Sequence, residues 1–138
     1  QRLDNNLITH DLGALHYDTQ LQALHSDNHT ICLIPGDTDE IRIVNIDDGT
    51  VSYIIKTQHT YAVELLVWHP TRYILAYVCD ENHLTLWDLN NEQEIFTYYS
   101  ASIITSLTWS SDGNTLICGS LTGIVTLWDC DWSIIESL

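Results

Sequence analysis

Apolar and polar positions alternate in short runs along most of this chain. Segments such as AVELLVW (62–68) and YILAYVC (73–79) are rich in branched and aromatic side chains, and the turn-forming HPTR lies between them. This pattern is typical of strands joined by tight turns. The later turn SSDGN (110–114) contains Asp-Gly, which readily supplies the positive φ angles of a hairpin. Because no stretch has the period of a helix of several turns, the pattern predicts an all-β fold.

The strand-like runs recur at a nearly fixed spacing. A shift of 43 residues aligns 15–46 with 58–89 without a gap and places His25 on Trp68. A shift of 41 residues then aligns 58–89 with 99–130, again without a gap. Self-similarity at a period of about 40 residues indicates a repeat architecture. Three copies of one unit therefore make up most of the chain.

Each copy is predicted to form a four-stranded antiparallel meander. Three strands lie within the aligned block, and a fourth follows it: VSYIIK (51–56), EIFTYY (94–99) and WSIIES (132–137). A single meander has a hydrophobic face that it cannot bury alone. The copies must therefore stack on one another or on other parts of an assembly.

These recurring marks resemble the WD-repeat β-propeller family. QHTYAVELLVWHP (58–70) is similar to the family's opening segment, and LTLWDL (84–89) and VTLWDC (125–130) are similar to its Trp-Asp signature at the end of the third strand. The resemblance implies β-propeller blades of four-stranded antiparallel meanders. Propeller rings typically contain four to eight blades. We therefore expect about three blades in an incomplete ring, which the remaining blades or a partner chain would close.

The resemblance makes the whole chain, 1–138, one partial propeller. We expect blades at 14–57, 58–98 and 99–138, and at about 5–13 the outer strand of a preceding blade. Because the chain starts at Gln1 and contains no methionine, we also expect it to be a segment of a longer protein.

The family's blades often carry a buried hydrogen-bond network. It joins the opening His, a Ser or Thr on the second strand, an Asp in the following turn and the signature Trp. No copy holds the full set, since Tyr77 takes the Ser/Thr place in the second copy and Cys118 takes it in the third. We therefore expect the third copy to depend more on apolar packing. The implied structural network residues are His16, Asp37, His59, Asp80, Trp87, Trp128 and Asp129.

The charge balance limits the classes of partner. Four basic residues face nineteen acidic ones, for a net charge of −15. No Lys/Arg cluster is present that could bind nucleic acid directly, and the same deficit disfavours acidic membranes. A basic peptide or protein face would be attracted, although surplus carboxylates also serve simply to keep a fold soluble. Both interpretations are open at this point.

The sequence contains no motif typical of an enzyme or a metal site. Neither H-E-x-x-H nor G-x-S-x-G occurs, and the four cysteines lack C-x-x-C spacing. Three of them, Cys32, Cys79 and Cys118, lie in apolar runs, where we expect reduced, buried side chains in an intracellular protein, cytoplasmic or nuclear. No apolar run is long enough to cross a bilayer. We expect no catalytic residue, cofactor or metal.

Propeller geometry brings two kinds of connection to one rim, the loops leading into each first strand and the turns between second and third strands. Residues near those turns, Gly36, Cys79 and Ser120, would then face a ligand. Trp132 lies outside the repeat register, which suits either an exposed anchor or packing in the last strand. The candidate partner-binding residues are Tyr17, Asp18, Tyr61, Ser102 and Trp132.

Two functions are compatible with these features. The resemblance implies a WD-repeat protein–protein interaction scaffold within a multi-subunit intracellular assembly, which binds protein or basic peptide partners through rim loops. The alternative is a propeller-class enzyme, a hydrolase or a metal-dependent enzyme, whose site at the channel mouth is formed with blades outside this chain. Fold alone does not decide between them.

Overall fold

A computed structural model describes residues 19–35, 40–57 and 63–132. Over these residues the chain forms eleven strands in three antiparallel sheets. The first sheet consists of β1 (Thr19–Leu24), β2 (Thr30–Pro35), β3 (Glu40–Asn45) and β4 (Val51–Lys56). The second sheet consists of β5 (Val63–Trp68), β6 (Ile74–Cys79), β7 (His83–Asp88) and β8 (Gln93–Tyr99). The third sheet consists of β9 (Ile104–Trp109), β10 (Thr115–Ser120) and β11 (Val125–Asp129).

Each sheet is a meander in which every strand pairs with the strand next to it in sequence. Tight turns make this possible. At the predicted Asp-Gly turn, Gly113 has a φ of 75°, and Ser110 donates its backbone N–H to the Thr115 carbonyl at 2.8 Å. The prediction of an all-β fold of antiparallel meanders is confirmed.

Carboxylates hold several of the turns. Asp27 accepts the backbone N–H groups of His29 and Thr30 and the hydroxyls of Thr30 and Tyr73, all at 2.8–2.9 Å. Burial acts to raise the pKa of Asp27, but these hydrogen bonds outweigh it and hold the pKa well below its usual range. Asp88 similarly accepts the backbone N–H of Asn90 at 3.0 Å.

The sheets stack with their first strands together, β1 against β5 and β5 against β9. Alternate side chains of β6 enter two different cores. Leu75 and Tyr77 belong to the core between the first and second sheets, whereas Ala76 and Val78 belong to the core between the second and third sheets. Every residue of β6 is therefore buried. The second sheet is covered on both faces.

No described residue covers the outer face of the third sheet. Val125 and Leu127 are 61% and 60% exposed, whereas their counterparts in the second sheet, Leu84 and Leu86, are 0% and 3% exposed. The difference arises because the third sheet packs on Leu84 and Leu86 and no described residue packs in the same way on Val125 and Leu127. The three described sheets therefore form an incomplete ring, as expected.

The gapless alignment of the first two copies is wrong by one residue in their first two strands. His25 directly follows β1 and corresponds to His69, which directly follows β5, and not to Trp68. The two histidines donate equivalent backbone N–H groups, to the carbonyls of Thr30 and Ile74, both at 2.8 Å. The cause is loop length, because four residues separate β2 from β3 and three separate β6 from β7.

Two strand predictions reach beyond the described residues. The predicted last strand (132–137) does not begin at Trp132, whose backbone is helical, and 133–137 lie outside the described residues. The outer strand predicted at about 5–13 also lies outside them. The predicted blade boundaries stay predictions.

Candidate partner-binding rim

Four of the implied network residues are described, and the two tryptophans among them pack between sheets. Trp87 packs against the core between the first and second sheets, and its Nε1 has no hydrogen-bond partner among the residues that the structure describes. Trp128 contacts the rings of second-sheet aromatics. Asp80 lies in the β6–β7 turn, and Asp129 accepts the Thr115 hydroxyl at 3.4 Å. The other network residues, His16, Asp37 and His59, lie outside the described residues.

A histidine not singled out from sequence joins the second sheet to the third. His69 is 1% exposed. Its Nδ1 accepts the backbone N–H groups of Thr71 at 3.1 Å and Arg72 at 2.9 Å, and its Nε2 lies 2.8 Å from the Gly113 carbonyl oxygen. One buried side chain thus ties a turn of the second sheet to a turn of the third.

His25 repeats this arrangement one sheet earlier. Its Nδ1 accepts the backbone N–H of Asp27 at 3.1 Å, and its Nε2 lies 3.0 Å from the Arg72 carbonyl oxygen in the second sheet. The signal in the sequence was a histidine directly after the first strand of two successive copies. The one-residue error in the alignment, which placed His25 on Trp68, concealed it.

At the opposite ends of the strands, three connections lie side by side. Ile104 donates its backbone N–H to the Glu81 carbonyl at 2.8 Å, and Ser100 donates to the Asn82 carbonyl at 2.8 Å. Leu121 donates to the Ile103 carbonyl, also at 2.8 Å. Residues 80–82, 100–103 and 120–124 therefore form one continuous edge, called the rim below.

A cleft of about 360 Å³ opens at this rim between the second and third sheets. Six of its nine lining residues carry hydroxyls. The Ser120 and Thr122 hydroxyls lie 3.0 Å apart, and the Ser100 hydroxyl accepts the Ser102 backbone N–H at 3.2 Å. Hydroxyls both donate and accept hydrogen bonds, so the cleft suits a polar group of either kind. The lining residues are Tyr98, Ser100, Ala101, Ser102, Cys118, Ser120, Thr122, Ile124 and Thr126.

The described residues among those predicted for the rim lie in two different places, the cleft and the core. Ser102 and Ser120 line the cleft together. Cys79 does not face a ligand, because it is 1% exposed in the core between the first and second sheets. Gly36 lies outside the described residues, as do the partner-binding candidates Tyr17, Asp18 and Tyr61.

Apolar side chains stand exposed around the cleft. Leu121 is 66% exposed, Ile124 63% and Ile103 38%. Single exposed apolar side chains are ordinary on protein surfaces, but a group of them beside a polar cleft is typical of an interaction site.

Carboxylates occupy the second-sheet side of the rim. Asp80 and Glu81 have φ angles of 54° and 66°, and Glu81 donates its backbone N–H to the Glu64 carboxylate at 3.1 Å. Partial burial raises the pKa of Glu64, and the negative charges of Glu81 and Asp80 raise it further, against the effect of that hydrogen bond. The local potential is therefore negative and favours a cationic group.

Trp132 is not an exposed anchor. It is 8% exposed and contacts the β9–β10 turn, which lies at the strand ends opposite the rim. Its Nε1–H donates to the Gly113 carbonyl at 2.9 Å, and its ring lies 4.9 Å from that of His69 and 5.9 Å from that of Trp109. The indole is buried because the chain after β11 folds back on the turn that His69 also contacts.

Cysteine and metal chemistry have little support in the described residues. Burial raises the pKa of the Cys32 and Cys79 thiols to about 12, so neither is a thiolate nucleophile at neutral pH. All four cysteines are free. Within the described ranges, no three His, Cys, Asp or Glu side chains group as metal ligands would. The structure has no helix in the described ranges that is long and apolar enough to span a membrane.

Comparisons with known proteins agree with this architecture. The family model described as IFT140 first beta-propeller matches residues 17–133. Periodic tryptophan protein 2 of Arabidopsis thaliana is 29% identical over 85 residues, which cover 60% of this chain and 9% of that protein. A chain in the crystal structure of the mitotic checkpoint complex is 20% identical with a TM-score of 0.66, over 81% of this chain and 36% of the other. The present chain thus spans a small part of either relative.

Proposed function

Because this chain belongs to the family of the IFT140 first beta-propeller, a WD-repeat propeller family, we propose that it is a protein–protein interaction scaffold that binds its partner at the rim. The observation that carries the proposal is the hydroxyl-lined cleft of about 360 Å³ between the second and third sheets. Binding residues are often carried on loops that a rigid scaffold positions, and here the stacked sheets position the rim loops. We propose no catalytic role, and we place the scaffold in a multi-subunit intracellular assembly.

The partner segment is proposed to be basic with apolar side chains. Glu64, Asp80 and Glu81 supply negative charge on one side of the rim, and Leu121 and Ile124 supply exposed apolar surface on the other. A lysine or arginine side chain could lay its stem on the apolar groups while its charged end meets hydroxyls and carboxylates. The net charge of −15 would further favour the approach of such a segment.

The test uses short fluorescent peptides and the chain in its full-length context. One peptide combines lysine with leucine, and a matched peptide has glutamate in place of lysine. We expect the lysine peptide to bind more tightly and to weaken as salt is raised, because rim charges act mainly on association and are screened. The charge reversal Glu81→Lys should weaken binding of the lysine peptide by about tenfold, which corresponds to about 1.4 kcal/mol.

Two controls accompany that measurement. Glu94→Lys makes the same charge change on β8 at an exposed position outside the rim and should leave binding within about twofold. Ser102→Trp fills the cleft without changing charge and should weaken binding. Equal binding of both peptides, or equal effects of Glu81→Lys and Glu94→Lys, would contradict the proposal.

A further inference from the structure

The hydrogen bonds of His69 require one particular form of its ring. Nδ1 accepts two backbone N–H groups, from Thr71 and Arg72, so it must carry a lone pair. The single ring proton then lies on Nε2, which donates to the Gly113 carbonyl at 2.8 Å. An imidazolium carries N–H groups on both nitrogens and would oppose the two backbone donors. The neutral ring alone satisfies both turns.

The surroundings of His69 disfavour an added proton. Burial is the main cause, and the charges of Arg72 in its own turn and of His25 in the first sheet act in the same direction. The hydrogen bond to Gly113 opposes them, and the net pKa of His69 is lowered. From the third sheet it faces the neutral indoles of Trp109 and Trp132.

The acid in the facing turn of the third sheet, Asp112, is hydrogen-bonded within that turn. The Asp112 carboxylate accepts the Ser110 hydroxyl at 2.6 Å and the Asn114 backbone N–H at 3.0 Å. It is therefore held by its own turn.

His25 provides an internal comparison with a similar geometry, in which Nδ1 accepts one backbone N–H, and with a different charged neighbour. The Asp27 carboxylate lies 3.5 Å from Nδ1 of His25. The residue that corresponds to Asp27 in the second sheet is Thr71, which is neutral. Of these two inter-sheet histidines, His69 is therefore the one without a carboxylate at this position of its turn.

We propose that His69 is a pH-sensitive latch, which holds turn 69–73 of the second sheet against turn 110–114 of the third and releases them below neutral pH. The sign follows from linkage, because the folded pKa lies below the ordinary value of 6.5 and the open form therefore binds the extra proton. The latch is closed above pH 6.5 and weakens as pH falls below it, towards the folded pKa. One proton taken up on opening raises the open fraction as pH falls through that window, by at most about tenfold per pH unit.

Amide hydrogen exchange of the full-length protein between about pH 7.5 and pH 5.5 tests this latch, after correction for intrinsic exchange. The Thr71 and Arg72 amides of the unaltered protein should lose protection by up to about tenfold across this range, the limit for one proton bound on opening. His69→Gln carries an amide that does not titrate, and its protection there should be nearly independent of pH. His29→Gln, at an exposed histidine paired with Asp47, is the matched control and should behave as the unaltered protein does.

Two results would overturn the proposal. One is a pH dependence in His69→Gln equal to that of the unaltered protein, and the other is unchanged protection of these amides down to about pH 5.5. If His69→Gln does not fold, nitrogen NMR of the unaltered protein tests the proposal by showing which ring nitrogen of His69 carries the proton. A proton on Nδ1 of His69 at about pH 7.5 would overturn the latch, and a proton on Nε2 followed by titration together with loss of amide protection would support it.

Discussion

Replacing Gly113 with alanine should destabilise the junction between the second and third sheets more than an ordinary turn substitution does. A Cβ at this position would lie 2.3 Å from Nε2 and 2.4 Å from Cε1 of His69, closer than carbon can approach either atom. The backbone there has a φ of 75°, which suits glycine. Relief of the clash requires movement of the buried His69 ring or of the Gly113 carbonyl, which also accepts the Trp132 indole N–H.

The expected magnitude combines three contributions. A left-handed φ costs an L-residue about 1–2 kcal/mol. Forcing an extra methyl into a packed site costs about 1–3 kcal/mol. Each weakened hydrogen bond to the carbonyl adds about 0.5–1.5 kcal/mol. Because relaxation relieves one contribution at the expense of another, we expect a total loss of about 3–5 kcal/mol in the free energy of unfolding.

Gly123→Ala is the matched control. Gly123 has a φ of 87°, but a Cβ there would meet nothing within 4 Å. It should therefore cost only the backbone contribution, about 1–2 kcal/mol. Urea unfolding followed by tryptophan fluorescence measures both variants, and the difference between them isolates the contact with His69. Equal losses of unfolding free energy in the two variants would refute the reasoning. The same loss from Gly113→Ala in a chain that already carries His69→Ala would also refute it.

Three other predictions follow from the described contacts. Asp27→Ala should lower the free energy of unfolding at neutral pH by about 2 kcal/mol. Because the folded pKa of Asp27 is depressed, this difference should disappear in acid, so the unfolding curves of the variant and the unaltered protein should converge as pH falls below the ordinary value of 3.8. Val125→Lys with Leu127→Lys should reduce light scattering by the isolated chain without unfolding it, whereas Leu84→Lys, at a buried counterpart, should unfold it. Hydrogen exchange should be slowest in the second sheet, which is covered on both faces, and faster in the third; greatest protection in the third sheet would contradict this.

The strands and their repetition could be predicted from local sequence. Runs such as 73–79 and 83–89 have the branched and aromatic composition of strands, and their turns contain the residues that tight turns require. The 41-residue shift between the second and third copies fits the observed strands β5–β7 and β9–β11. Local pattern was sufficient here because strand formation and turn type depend on neighbouring residues.

The candidate site could be predicted only in part. Ser102 and Ser120 were expected at the rim from the position of their loops in the repeat, and they line one cleft. Cys79 was expected beside them, but its side chain points into the core between the first and second sheets. Successive side chains of a strand point to opposite faces of the sheet. The face that Cys79 takes therefore depends on the residue at which β6 ends, and only the structure shows that residue.

The sequence by itself determined that the described part of this protein consists of stacked antiparallel meanders, because the period and the apolar pattern are properties of the chain. The tertiary structure alone decided how the sheets are joined. One additional residue between β2 and β3 conceals the correspondence of His25 with His69, and Trp132 is buried because it reaches back to the Gly113 carbonyl. The contacts of His25 and His69 with the next sheet and the burial of Trp132 join residues far apart in sequence, which neither composition nor periodicity records.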